Sequence, residues 1–262
     1  MLCFLVAAAV LAPNLAPHDP IAVSLADRLK PPFFAGGTMT FPLGTDGLGQ
    51  DILSRIIYGA RISLLIGFTV ITISGIIGIT LGVIAGYAGG IVDDVIMRIA
   101  DIQLAFPAII LYIAVMAVIG PGLRNIIIVM GIVGWVAYAR IERGQVLQLR
   151  DQDFIMAARS VGVPSLRIVL RHILPNAWSP IIVVTSFSLA STIITESSLS
   201  FLGLGVPPSV PTWGAMLASG RDYLRQAWWL ATLPGLAIAL TVLAINLIGD
   251  WLRDYLDPRL RL

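Results

Sequence analysis

Charge is scarce in this chain. Asp, Glu, Lys and Arg make up 12% of its 262 residues and apolar residues 57%, with a mean hydropathy of +0.90. A soluble domain carries about 25% charged residues, and a water-soluble fold of this length does not hide so much apolar surface. The composition therefore reads as an integral membrane protein. A net charge of +2 is too small to point to nucleic acid. The single Cys3 excludes an internal disulfide framework and a cysteine metal cluster, and His18 and His172 lie too far apart to form a recognisable metal site. There is no Gly-x-x-x-x-Gly-Lys-Ser/Thr loop to cradle ATP. No Ser/His, paired-Asp or His-Glu-x-x-His constellation supports an intramembrane enzyme.

Long apolar runs are what the chain does have. Residues 62–87, 102–120, 125–139, 177–205 and 228–249 read as five spans, since a crossing helix needs about 20 apolar residues. The first has no charge, and Pro121-Gly122 separates the second from the third. Residues 2–12 are a sixth candidate, too short to cross. They read either as a signal-peptide core without its positive n-region or as the end of a first span whose beginning is absent. The expected fold is an all-α, polytopic transmembrane bundle. Residues 13–61 form its outer loop, 62–249 its core, and 250–262 its tail. The loop 140–172 holds Arg140, Arg143, Arg150, Arg159, Arg167 and Arg171, the densest basic segment, which places it in the cytoplasm. Alternation puts 88–101 and the tail inside, and 121–124 and 206–227 outside.

Within the basic loop the spacing predicts two short amphipathic helices, 153–161 and 164–172. Phe154, Ala157, Ala158 and Val161 share one apolar face, and Leu166, Val169, Leu170 and Ile173 another. Gly162 suits the left-handed end of the first helix and Pro164 the first turn of the second, while Pro175 marks the boundary before the next span. Such helices either pack on the membrane surface or dock onto a soluble partner.

Residues 157–176, "AARSVGVPSLRIVLRHILPN", resemble the coupling-loop signature of ABC importer permeases: Glu-Ala-Ala, three residues, Gly, nine residues, Ile-x-Leu-Pro. Ala157, Ala158, Gly162, Leu174 and Pro175 match it, whereas Met156 replaces the Glu and His172 the Ile. This form is similar to the dipeptide/oligopeptide branch. Residues 42–64, 196–224 and 250–261 resemble segments of its C-type subunit, with Gln50 where an Arg is usual. The resemblance covers about residues 40–262. It implies a type I importer permease fold of six spans, a multi-pass protein of the bacterial inner membrane that is not itself an enzyme. It also implies a second homologous permease, two cytoplasmic ATPases that bind ATP and Mg, and an extracytoplasmic peptide-binding protein. No cofactor is expected on this chain. Coupling to the ATPases falls to Ala157, Ala158, Arg159, Gly162, Pro164, Leu166, Arg167, Arg171, Leu174 and Pro175. A nickel or other small-solute importer uses the same scaffold. An ion-coupled secondary transporter predicts intramembrane charge pairs and an internal repeat, and neither is visible.

Other residues invite two readings each. Glu196, with Thr192, Thr195, Ser197 and Ser200, makes 177–205 the most polar span, suited either to a translocation path or gate or to polar bracing between helices. Asp46, Asp51, Arg55, Arg221 and Asp222 either meet the binding protein or brace the outer loops. Gly78, Gly82 and Gly86 form a small-residue stripe for close helix packing, and Trp228 and Trp229 read as interfacial anchors. Asp93, Asp94 and Asp101 read as a solvated turn paired with Arg98 rather than as a proton or metal relay. "VPPSVPTWGAML" (206–217) is too broken to span and could dip back to form part of the outer gate.

Overall fold

The computed structural model describes Ala7 and residues 9–256, and most of the 2–12 candidate span and the tail residues Arg259 and Arg261 lie outside them. The described residues are mostly helical, with irregular structure over most of residues 16–51. The helices that carry the fold are α1 (Ile52–Ala88), α2 (Gly90–Leu104), α3 (Ala108–Ile119), α4 (Leu123–Val133), α5 (Trp135–Arg150), α6 (Asp153–Ser160), α7 (Ser165–Phe201), α8 (Trp213–Gly220) and α9 (Trp229–Leu256). Four stretches are long and apolar enough to cross a membrane: α1, the α4–α5 run, α7 and α9. The α2–α3 pair supplies a fifth crossing if its two helices are taken together.

Three boundaries differ from the hydropathy reading, each for a physical reason. The 102–120 span is not one helix. It breaks around Pro107, where α2 and α3 meet at 84°, because proline disfavours the helical conformation in the residue before it and donates no N–H to the ladder. The run 125–139 does not stop at Arg140 but continues helically to Arg150. Two of its arginines are paired, Arg140 with Asp101 and Arg143 with Asp93, which lets the helix carry them. Finally, the boundary expected at Pro175 is present, since the α-helical span begins at Leu174, but it is a change of helix type and not a gap. The expected second short helix is the first part of α7, which passes through a π-helical turn at Val169–Ile173 just before the proline. A π turn shifts the hydrogen-bond register by one residue, and with it the site of the N–H that proline lacks.

Contacts divide the chain into two compact units that share the long helices. One comprises Met1–Phe68, Ile113–Ile128 and Ala190–Ile245. Its core joins Ile52, Met216, Ala227, Trp229 and Leu230. Trp213 is buried against the N-terminal part of α1, where its indole N–H donates to the Ile56 carbonyl at 3.0 Å. Gly59 makes room for the ring, since a Cβ there would stand 2.8 Å from the indole.

The other unit comprises Thr69–Tyr112, Val129–Leu189 and Asn246–Leu262. Here the glycine stripe seats α5 directly on α1. A Cβ on Gly78 would meet the Trp135 carbonyl oxygen at 2.4 Å, one on Gly82 the Ala139 oxygen at 2.5 Å, and one on Gly86 the Val146 Cβ at 2.8 Å. Small residues permit this backbone approach, which substitutes for the hydrophobic drive that lipid does not provide. The Asp93–Arg143 bridge ties α2 to α5 in bidentate form, with Nε to Oδ1 at 2.5 Å and Nη2 to Oδ2 at 2.6 Å. The pairing expected between this acidic turn and Arg98 is replaced by these contacts to α5. In a double-mutant cycle of Asp93→Asn and Arg143→Ala, each single change should destabilise the protein, and the double change should cost less than their sum. A coupling of about 0.5–3 kcal/mol is the range for residues in direct contact. Strict additivity in thermal melts would show the bridge to be energetically idle.

Glu142 is the anomaly of this unit. It is fully buried on α5, and neither carboxylate oxygen has a hydrogen-bond partner; the Tyr138 hydroxyl one turn earlier is likewise unpartnered. An unmet buried acceptor costs about 1–3 kcal/mol. Glu142→Met, which keeps the length of the chain and removes both acceptors, should therefore leave the melting temperature unchanged or raise it. A fall would mean that the carboxylate has a partner in the assembled protein.

Candidate cytoplasmic coupling segment

The Arg-rich segment after α5 is a rigid bent handle. α6 begins at Asp153 and ends with two hydrogen bonds of the type that closes a helix on a left-handed residue: Gly162 N–H to Arg159 O at 2.9 Å and Val163 N–H to Ala158 O at 3.0 Å. Gly162 takes φ +80°, as the sequence pattern anticipates. Pro164 precedes the first turn of α7, and its carbonyl accepts from Arg167 and Ile168.

The handle buries only part of each apolar face read from the spacing. Ile155, Ile168, Val169 and Ile173 pack with Val146, supported by Val83, Tyr87, Ala158, Val163 and Leu174. Phe154, Ala157, Val161, Leu166 and Leu170, also members of the two apolar faces read from the spacing, lie outward; Val161 is 80% exposed and Leu166 70%. In so short a helix the spacing fits two stripes, and the packing of the preceding turn selects the one through Ile155. The result is an apolar patch on the outside of the handle. Arg159, Arg167 and Arg171 are exposed around it, and Arg159 stacks over the Tyr87 ring at 5.1 Å. Of the ten residues expected to couple, Ala157, Arg159, Gly162, Pro164, Leu166, Arg167, Arg171 and Pro175 are exposed, and Ala158 and Leu174 are half-buried. Phe154, Val161 and Leu170, read in the sequence as members of the apolar faces but not among the coupling residues, are exposed as well.

The polar residues of α7 behave differently. Glu196 is 1% exposed, and it accepts from the Ser200 hydroxyl at 2.8 Å and the Ser197 hydroxyl at 3.4 Å. Ser200 Oγ in turn accepts from the Val206 N–H at 3.3 Å. Thr192 is buried as well, and Thr195 is half-buried. Gly214 on α8 comes so close that a Cβ would stand 2.6 Å from the Ser197 Cα. The segment 206–217 does dip back, and these side chains hold it as a clasp. Glu196 is thus enclosed beneath the returning segment in this chain.

The outer charges are mostly internal too. Asp51 receives hydrogen bonds from the Ser54 N–H at 3.0 Å and hydroxyl at 2.6 Å, with His18 Nδ1 3.5 Å away. Arg55 pairs with Asp46 at 3.2 Å and donates to the Pro208 carbonyl at 3.2 Å. Both Asp51 and Arg55 are buried among these partners, as the bracing reading of the outer loops would have them. Arg221 and Asp222 form an exposed pair.

The described residues thus combine several helices long and apolar enough to cross a membrane with a bent, basic segment whose outer side carries exposed apolar residues. Residues 78–262 match the family described as the binding-protein-dependent transport system inner membrane component, and the chain belongs to that family. It is 48% identical over 254 residues to the di/tripeptide transport system permease protein DppC of Pseudomonas aeruginosa, covering 97% of this chain and 84% of that one. To the glutathione transport system permease protein GsiD of Pectobacterium atrosepticum it is 46% identical over 257 residues, covering 98% and 84% respectively. In fold it is similar to the inward-facing MetNI methionine ABC transporter, with a TM-score of 0.64 at 18% identity over 79% of this chain and 98% of that chain. The protein is accordingly a multi-pass inner-membrane permease subunit of an ABC importer. Transport by this family depends on a binding protein and on ATPase subunits.

Proposed function

We propose that this chain forms half of a translocation pathway for dipeptides or oligopeptides and that the segment 153–175 couples it to ATP hydrolysis on separate subunits. The outward apolar patch of that segment is the observation that carries the reading. Phe154, Val161, Leu166 and Leu170 stay exposed although the handle has a buried stripe of its own. Such a surface fits a groove on a soluble partner, with Arg159, Arg167 and Arg171 as rim charges that orient the encounter. The names of several relatives support a peptide cargo. A second homologous permease would complete the pathway, two cytoplasmic ATPases would hold ATP and Mg, and an extracytoplasmic peptide-binding protein would deliver cargo; the chain itself would bind no cofactor and catalyse no reaction.

ATP does work on the permease only if it favours one of two packings over the other. The handle suits that task because its buried stripe packs on Val83, Tyr87 and Val146, so a push on α6 is passed to α1 and α5 instead of being lost in a floppy loop. On the outer side, α8 held by Glu196, Ser197 and Ser200 would serve as an element of the gate, and the exposed Arg221–Asp222 pair remains available to the binding protein. Co-purification in mild detergent tests the assembly. A tagged chain should bring down an ATPase, and a chain that purifies alone from cells producing the whole system would overturn the reading.

A further inference from the structure

We propose that the loop 31–45 is a membrane anchor whose tip, Phe33, Phe34 and Met39, sits in the lipid interface beside the start of α9. The loop has no charged residue in its 15 positions, yet Phe33, Phe34 and Met39 are exposed, the last at 74%. An exposed, charge-free cluster of large apolar side chains marks a surface that is covered in use.

The loop is stiff, and its height is fixed. At its neck the Thr45 N–H donates to the Lys30 carbonyl at 3.0 Å, and the Lys30 N–H donates to the Thr45 hydroxyl at 2.8 Å. The backbone folds back on itself at Gly37, where a Cβ would overlap the Pro31 carbonyl oxygen at 1.9 Å. The neck is pinned to a membrane span: the indole N–H of Trp229, the first residue of α9, donates to the Thr45 carbonyl at 3.2 Å. Trp228, half-exposed at the same boundary, packs on Phe34 with ring centroids 6.3 Å apart, and Phe34 packs edge-on to Phe33 at 5.4 Å.

These contacts choose the occupant. Aromatic rings at the end of a span lie at the headgroup level, so Phe33 and Phe34 share that level through Trp228. The lipid surface around α9 continues onto the loop. At the neck Lys30 pairs with Asp27 and the Arg28 guanidinium donates to the Tyr223 hydroxyl at 3.3 Å, so the neck is polar where the tip is apolar. By the Lys/Arg asymmetry of the chain this is the outer leaflet.

The test uses the whole transporter in lipid nanodiscs, with Cys3→Ser and a nitroxide placed at Phe34→Cys or Met39→Cys. Collision with oxygen is compared with collision with a water-soluble nickel chelate, taking Asp222→Cys as the aqueous reference. Labels at both tip positions should favour oxygen over nickel several-fold more than the reference label does. Nickel accessibility equal to that at Asp222 would overturn the proposal. So would labels shielded from both reagents, which would mean that a protein partner covers the loop. Adding Phe33→Ser and Phe34→Ser, which leave the neck untouched, should raise nickel access at Met39→Cys; unchanged access would overturn the anchoring role of the two rings.

Discussion

Valine at Gly78 or Gly82 should abolish stable assembly of the α1–α5 pair. The obstacle to a Cβ at these positions is backbone, the Trp135 and Ala139 carbonyl oxygens at 2.4 and 2.5 Å, rather than the movable end of a side chain. Relief requires the two helices to separate along their length. Overpacking of a well-packed core costs about 1–3 kcal/mol and occasionally more, and here the approach of the helices is itself the main attraction. The expected result is a large fall in melting temperature in nanodiscs or loss of the purified chain. Gly144→Ala is the matched control. It lies on α5 with open space where its Cβ would go, and alanine favours a helix over glycine by about 1 kcal/mol. If Gly82→Val melts like Gly144→Ala, the close packing of α1 and α5 is wrong.

Gly162→Pro combined with Arg167→Glu should uncouple transport from ATP hydrolysis while leaving the membrane spans inserted. Proline cannot adopt the φ of +80° that Gly162 holds, so the corner between α6 and α7 must reform. The second change reverses a charge beside the exposed Leu166. In the reconstituted system, hydrolysis stimulated by loaded binding protein should drop at least about tenfold, equivalent to about 1.4 kcal/mol lost at the contact. Leu166→Asp alone leaves the corner intact and should cause a loss in the same direction by spoiling the apolar patch. Undiminished stimulation in both variants would reject 153–175 as the coupling element.

Much of this was legible in the sequence because its signals were local. Gly162 followed by Pro164 specifies a left-handed stop and a helix start within three residues, and both appear as expected. The glycines at four-residue spacing announce one small face, whatever packs on it. What was not legible depended on partners distant in sequence. Arg140 and Arg143 look like the end of a span until Asp101 and Asp93 are seen to pair with them on the neighbouring helix. Asp51 and Arg55 look like surface charge until Ser54, Asp46 and the Pro208 carbonyl close around them. The clasp on Glu196 forms only because Gly205 and Gly214 let the returning segment touch α7, and no periodicity marks that contact. Phe154 and Ile155 are adjacent apolar residues; only the hydrophobic floor formed by Val146, Ile168 and Ile173 determines which of them turns inward.

The corner at Gly162 and Pro164 is set by main-chain geometry, with no side-chain bond holding it. Shape and chemistry are thereby decoupled in the handle. If the handle couples as proposed, the outward residues at 154, 161, 166 and 170 could be rewritten for a different motor without altering the angle at which they are offered, and compatibility between a pore and its engine would become a matter of surface lettering.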